Sequence, residues 1–271
     1  MKIPLEDHFI DILGKAQRGL GLTDESLERA SGLSLSELCA LKSGTIDEAS
    51  LIKVATPLGL GARSLSAIAH SRYQPAPVPD VDGLACFQSE FYDMTVSSYV
   101  VWDPVSRDAA FFDTGSDGQP MLDFAKTQGL HVAQIFITHI HTDHIFDLDR
   151  LLEKTRATAR VCAREPLDGA VSFEPGEHFQ IGQLRVDTRW TCGHAMGGIT
   201  YFVHGIAKPI AIVGDAIFAG SMGGGRVSYA DALRTNREQI FTLPDETILC
   251  PGHGPLTTVG EQKISNPFFA D

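Results

Sequence analysis

Thr138-His139-Ile140-His141-Thr142-Asp143-His144 places three histidines and an aspartate within seven residues, directly after the apolar run 132–137. Neutral imidazole and carboxylate are the natural ligands of zinc and related divalent metals, and a turn leaving a strand aims several such groups at one point. Three more residues of ligand type each follow an expected strand of their own: His194 after 186–191, Asp215 after 210–213 and His253 after 248–250. The seven donors span 115 positions, and strand ends along one sheet edge would bring them together. That is enough for two metals. Two divalent ions about 3.5–4 Å apart share a water, lower its pKa towards ~7 and polarise the carbonyl or phosphoryl oxygen it attacks. The chemistry this pattern offers is therefore metal-assisted hydrolysis.

The elements that must hold these residues read as alternating strand and helix. Strands are expected at 95–102 and 109–112, forming a pair closed by Asp113-Thr114-Gly115. A helix follows at 120–128, the buried strand at 132–137 and a second helix at 146–155. Further strands are expected at 160–163, 183–191, 199–203, 209–213 and 247–250. Many strands with few crossing helices favour an α/β sandwich over a doubly wound sheet. Gly193, Gly197, Gly214, Gly252 and Gly254 flank the later donors, as tight turns beside a site require.

Composition narrows the class. The chain has 271 residues, 43% hydrophobic and 21% charged, which is ordinary for a globular protein with a substantial core. No apolar stretch approaches the ~20 residues that span a bilayer, and the acidic segment 1–11 has no signal-peptide pattern, so a cytoplasmic protein is expected. A net charge of −12 argues against a general nucleic-acid surface. Five scattered cysteines without a CxxC indicate neither a disulfide framework nor a cysteine zinc knuckle.

Residues 1–70 read as a small all-α domain. Ser34 with Glu37 and Thr45 with Glu48 fit the capping box, and Leu27, Leu33, Leu38, Leu41, Leu51, Val54 and Leu58 supply apolar faces. The span 23–44 resembles the helix-turn-helix of Cro/C1-type repressors, through Leu27, Gly32-Leu33-Ser34, Leu38, Leu41 and Gly44. Its second helix presents Leu35, Ser36, Cys39 and Ala40 rather than basic residues, and residues 1–72 carry eight Lys/Arg against nine Asp/Glu. Base and phosphate contacts need positive, forked donors. Self-association as a homodimer, or packing beside the rest of the chain, is expected ahead of DNA binding. Pro75, Pro77 and Pro79 mark 71–80 as a stiff linker, leaving 81–271 as the catalytic domain.

Within 81–271 the sequence resembles the metallo-β-lactamase-fold hydrolases, glyoxalase II-like branch. Thr138-His-Ile-His-Thr-Asp-His144 matches the HxHxDH signature. The likeness continues through Thr191-Cys-Gly-His-Ala-Met-Gly-Gly-Ile-Thr-Tyr201, Gly214-Asp-Ala-Ile-Phe-Ala-Gly-Ser221 and Pro251-Gly-His-Gly-Pro-Leu-Thr-Thr-Val-Gly-Glu261. The resemblance implies a four-layer αβ/βα sandwich and two divalent ions, zinc first, with iron or manganese as alternatives. It implies that His139, His141 and His194 hold one ion, Asp143, His144 and His253 the other, and that Asp215 bridges them. Asp143 would also orient the bridging hydroxide. Asp113 and Thr138 are candidates to brace the histidines from behind. The implied reaction is hydrolysis of an ester-like bond in a small molecule, a thioester of the hydroxyacylglutathione type first. Lactone, β-lactam or phosphodiester cleavage on the same scaffold, or persulfide oxygenation at one iron, are the alternatives. His8, His70, His131, His178 and His204 fall outside the pattern; Cys192, Tyr201 and Phe218 read as packing, and Arg226 as a loop residue able to meet an anion.

Overall fold

The computed structural model describes residues 3–270. Its first part consists of α1 (Phe9–Gly19), α2 (Asp24–Ser31), α3 (Leu35–Lys42), α4 (Glu48–Ala55) and α5 (Ala62–Ala69). Ser34 and Glu37 form the expected reciprocal cap on α3. The second expected cap is displaced: Asp47, not Thr45, accepts the Ser50 amide and starts α4, because a carboxylate one residue before Glu48 meets the free amides directly. Leu27, Leu38, Leu51 and Leu65 make one buried cluster with Met222, Tyr229 and Phe268 of the later chain. Full burial of each such side chain stabilises by roughly 1.5–3 kcal/mol, so the helices are fastened to the later chain through a shared core. Gly61 N donates to Pro267 O at 2.8 Å and Ser64 Oγ to Ile264 O at 3.1 Å. The face carrying Leu35, Ser36 and Cys39 is not the packed one; those three residues are exposed.

From residue 84 the chain forms β1 (Leu84–Phe91), β2 (Met94–Trp102), β3 (Asp108–Phe112), α6 (Gln119–Gln128), β4 (His131–Phe136), α7 (Thr142–Ile145), α8 (Leu148–Thr155), β5 (Thr158–Cys162) and β6 (Val171–Phe173). It continues through β7 (His178–Ile181), β8 (Leu184–Trp190), β9 (Ile199–His204), β10 (Ile210–Gly214), α9 (Tyr229–Gln239), β11 (Ile248–Pro251), β12 (Thr257–Thr258) and α10 (Val259–Ser265). The strands form two six-stranded sheets, ordered β1-β2-β3-β4-β5-β6 and β12-β11-β10-β9-β8-β7.

The period of two along the strands decides the layers. Tyr99 and Val101 of β2, Phe136 of β4 and Ile210 and Ile212 of β10 point between the sheets. Val100 and Trp102 of β2 and Ile135 of β4 face outward onto Met121, Ala125, Leu148 and Leu151 of α6 and α8. Ala211 and Val213 of β10 face the other way, onto Ile240, Leu243 and Val259. Two sheets face to face with helices outside them give the mixed α/β sandwich that the resemblance implies. Among the described residues no helix is long and apolar enough to cross a membrane.

Two expectations change. The donor-bearing strand ends do not share one sheet edge: β4 lies in the first sheet, while β8, β10 and β11 lie in the second. The expected helix 146–155 is α8, which begins two residues later at Leu148, and a further short helix, α7, precedes it. Thr114 Oγ1 accepts the Asp147 amide at 3.1 Å, and Asp147 Oδ2 accepts the Gly118 amide at 2.7 Å, so the break between them ties the histidine-rich turn to the loop after β3.

Candidate metal centre

The seven donors converge as two groups. His139, His141, His194 and Asp215 form one and Asp143, His144 and His253 the other, each with donor atoms within 4.8 Å of one another. Asp215 faces both: Oδ1 is 3.3 Å from His144 Nε2, and Oδ2 is 3.3 Å from His194 Nε2 and 3.6 Å from His253 Nε2. Asp143 Oδ2 is 3.4 Å from His144 Nε2 and 3.2 Å from His253 Nε2. Backbone can crowd this closely only where a side chain is absent. A Cβ on Gly252 would stand 2.3 Å from Asp215 Oδ1 and 2.6 Å from His144 Cε1.

Four of the five histidines are held through the nitrogen that faces away. His194 Nδ1 donates to Gly224 O at 2.9 Å and His253 Nδ1 to Thr95 O at 2.8 Å. His144 Nδ1 meets Asp113 Oδ2 at 2.7 Å. Thr138 donates its amide to Asp113 Oδ1 and its hydroxyl to Asp113 Oδ2, both at 2.7 Å, which leaves the Thr138 hydroxyl oxygen to accept from His139 Nδ1 at 3.1 Å. Asp113 and Thr138 thus brace the site as expected, and Asp113 adopts a left-handed backbone conformation (φ 56°) to do so.

These bonds fix the tautomers and test whether a cation fits. With Nδ1 donating, His139 Nε2 and His194 Nε2 both present lone pairs to His141 Nδ1, at 2.9 and 3.0 Å. One proton on His141 can satisfy at most one of them. His144 Nε2 and Asp215 Oδ1, 3.3 Å apart, are buried and make no well-aligned hydrogen bond to each other or to any other described residue. Unsatisfied buried polar atoms are costly, and a divalent cation bound by nitrogen and oxygen supplies the missing partner. The donors therefore fit two such ions.

Electrostatics separates the groups. Burial, reinforced by neighbouring imidazoles, holds His139 well below the usual histidine range; burial also lowers His141 and takes His194 down to about 4. Burial pulls on His144 and His253 as well, but carboxylates outweigh it. Asp113 and Asp215 raise His144 far above its ordinary value, and Asp215 with Asp143 pushes His253 up to about 9. Burial works to neutralise Asp215, yet His253 and His144 keep its carboxyl well below the carboxylate range.

A cavity of about 780 Å³ opens over His141, Asp143, His194, Asp215 and His253. Phe91, Met94 and Phe218 give it apolar surface, and Arg226 stands on its rim after Gly223-Gly224-Gly225. Sequence reasoning missed the rest of the wall, in which Glu6, Asp7, Lys15, Arg18 and Gly19 arrive from the helical part. No local pattern signals that contact. Tyr201 is buried with its hydroxyl on Ile137 O at 2.7 Å, and Cys192 is buried, so both pack as expected. Of the histidines set aside, His70, His131 and His204 meet Glu48, Asp108 and Asp187, away from the centre.

The chain has relatives among known proteins. The sequence profile described as the Metallo-beta-lactamase superfamily matches residues 92–253. A probable metallo-hydrolase of Bacillus subtilis (strain 168), YqgX, is 31% identical over 184 residues, covering 58% of this chain and 85% of that protein. The hydroxyacylglutathione hydrolase GloC of Haemophilus influenzae is 26% identical over 195 residues, covering 63% of this chain and 91% of that one. Among solved structures, the BLEG-1 B3 metallo-beta-lactamase superposes with a TM-score of 0.60 at 25% identity, over 69% of this chain and all of its own.

Proposed function

Since the chain belongs to the Metallo-beta-lactamase superfamily, we propose that it is a dinuclear metallo-hydrolase acting on a small ester-like substrate, a thioester of the hydroxyacylglutathione type first. The observation that carries this reading is the Asp215 carboxylate, which stands between the groups with Oδ1 3.3 Å from His144 Nε2 and Oδ2 3.3 Å from His194 Nε2. His139, His141 and His194 would hold one ion and Asp143, His144 and His253 the other, with Asp215 between. A pair of divalent ions so held, zinc first, supplies a Lewis acid for the carbonyl and a water acidified to near neutrality.

The chain's own residues do the rest. Asp143, kept ionised by His253 against the cost of its burial, accepts a hydrogen bond from the attacking water and turns a lone pair towards the carbonyl carbon. Phe91, Met94 and Phe218 exclude bulk water around the acyl group, which strengthens every charge interaction inside. Arg18 and Arg226 give the cavity positive charge for an anionic end of the substrate. A thiolate leaving group needs little protonation, which suits a site whose strongest feature is its cations. The similarity to a hydroxyacylglutathione hydrolase supports the thioester reading.

One observation favours a second reading. His139, His141, His194 and Asp215 form a complete donor set on their own, and such a set also suits a single iron in oxygen chemistry. Metal-loaded protein screened against thioesters, lactones and phosphodiesters, with oxygen uptake recorded in parallel, separates the two. Thioester cleavage without oxygen uptake is expected; thiol-dependent oxygen uptake with one iron per chain would refute the hydrolase.

A further inference from the structure

Helix α1 and the segment before it reach the loop that follows Asp215. Asp7 Oδ2 accepts from Lys15 Nζ and from Ser221 Oγ, while Lys15 Nζ donates to Met222 O at 2.8 Å and lies 5.1 Å from the centre of the Phe218 ring. The ion pair is sheltered, with the Lys15 and Asp7 side chains 14% and 8% exposed. Charges removed from water persist only when their donors and acceptors are met, and here the loop meets them.

The same loop serves the donors. Gly223 N donates to Asp215 O at 3.0 Å, and Gly224 O accepts from His194 Nδ1 at 2.9 Å. A Cβ on Gly223 would stand 2.0 Å from Asp215 O and 2.8 Å from His194 Nδ1, so the loop passes with no space to spare. Shifting Met222 O shifts the two residues that follow it. The carbonyl that fixes the His194 tautomer and the amide that holds the Asp215 backbone are those two residues.

We propose that Lys15 and Asp7 are positioning residues for the metal centre, setting the 221–224 loop so that His194 and Asp215 present their donor atoms correctly. The helical part is then a component of the site rather than an appendage. The proposal rests on His194 and Asp215 being ligands, an assignment that metal loss in Asp215→Ala tests by itself. It does not depend on which substrate is cleaved.

The test is metal affinity, read by competition with a chelator, together with the visible spectrum of the cobalt-loaded protein. Loss of a partner behind a ligand typically costs 10–100-fold in affinity. Lys15→Met should weaken zinc binding about tenfold or more and alter the cobalt bands, and Lys15→Arg should restore part of both. Lys42→Met removes the ion pair with Asp24 in the same helical part, away from the loop, and should leave affinity and spectrum unchanged. If Lys15→Met does not fold, Ser221→Ala decides, since it removes one hydroxyl from the same junction and should weaken binding about 2–10-fold. Wild-type affinity and cobalt spectrum in a folded Lys15→Met, or in Ser221→Ala, would overturn the proposal. So would an equal loss in Lys42→Met. Failure of every thioester to react, with these affinity changes intact, would remove the substrate reading and leave this one standing.

Discussion

His139, His141 and His194 have their basicity pressed down by burial and by neighbouring imidazoles, whereas His144 and His253 have theirs held up by Asp113, Asp143 and Asp215. The first group is a nest of neutral nitrogens whose lone pairs converge. The second is a set of imidazoles paired to carboxylates, and it can hold protons where the first cannot. Both groups carry donors a divalent ion accepts, but they reach that state from opposite sides. An ion entering the first group relieves lone-pair crowding. An ion entering the second would have to displace protons, and Asp215, which faces both groups, would tie one event to the other.

The largest effect expected is the removal of that shared carboxylate. Asp215→Ala should empty both groups and lower turnover by about 10³-fold or more, since several kcal/mol of charge stabilisation go with the ions. Metal content and rate measured together check it; retention of both would refute the assignment.

Next comes pH. A group whose basicity is raised keeps its proton until the pH passes its elevated pKa, so acidification favours the protonated, metal-free form. His253, pushed up to about 9, must surrender its proton on ligation, and each displaced proton weakens binding about tenfold per pH unit below that point. Lowering the pH from 8 to 6 should therefore cost the second group about 100-fold in affinity per proton displaced. His194, down at about 4, is already neutral across that window, so the first group should change little. Proton release measured by calorimetry in buffers of different ionisation enthalpy separates them. Equal release at both steps would erase the contrast.

Smaller effects are expected from the residues behind the histidines. Asp113→Asn removes the charge behind His144 and should cost the second ion about 10–100-fold in affinity while the first ion loses less. Thr138→Val removes the hydroxyl that bonds both Asp113 and His139 and should cost about 2–10-fold, the worth of the one bond that reaches a donor, His139. Stepwise zinc titration of the two variants resolves both.

The donors are readable from the sequence because each follows a strand-like stretch, apolar before the 138–144 turn, Asp215 and His253 and alternating before His194. The turn 138–144 carries its own signal, and Asp113 and Thr138 were nameable because they sit at strand ends beside it. The sheet assignment was less accessible. Adjacent strands and distant strands leave the same local pattern, so the division of donors between two sheets had to come from pairing. Strand β1 escaped notice because its residues alternate between half-buried and exposed with polar side chains among them. Helix α9, Tyr229–Gln239, escaped because its sequence is polar and only a few of its residues are buried. Lys15 and Asp7 carried no signal, because their partners Met222 and Ser221 lie over 200 positions away.

If two ions act together on a carbonyl, turnover must follow the second equivalent of metal. Metal-free protein titrated with zinc, assayed at each addition with S-lactoylglutathione and an oxygen electrode in the same vessel, should gain thioester hydrolysis as the second equivalent binds, without oxygen uptake. Full activity after one equivalent, or iron- and thiol-dependent oxygen consumption in place of hydrolysis, would contradict it.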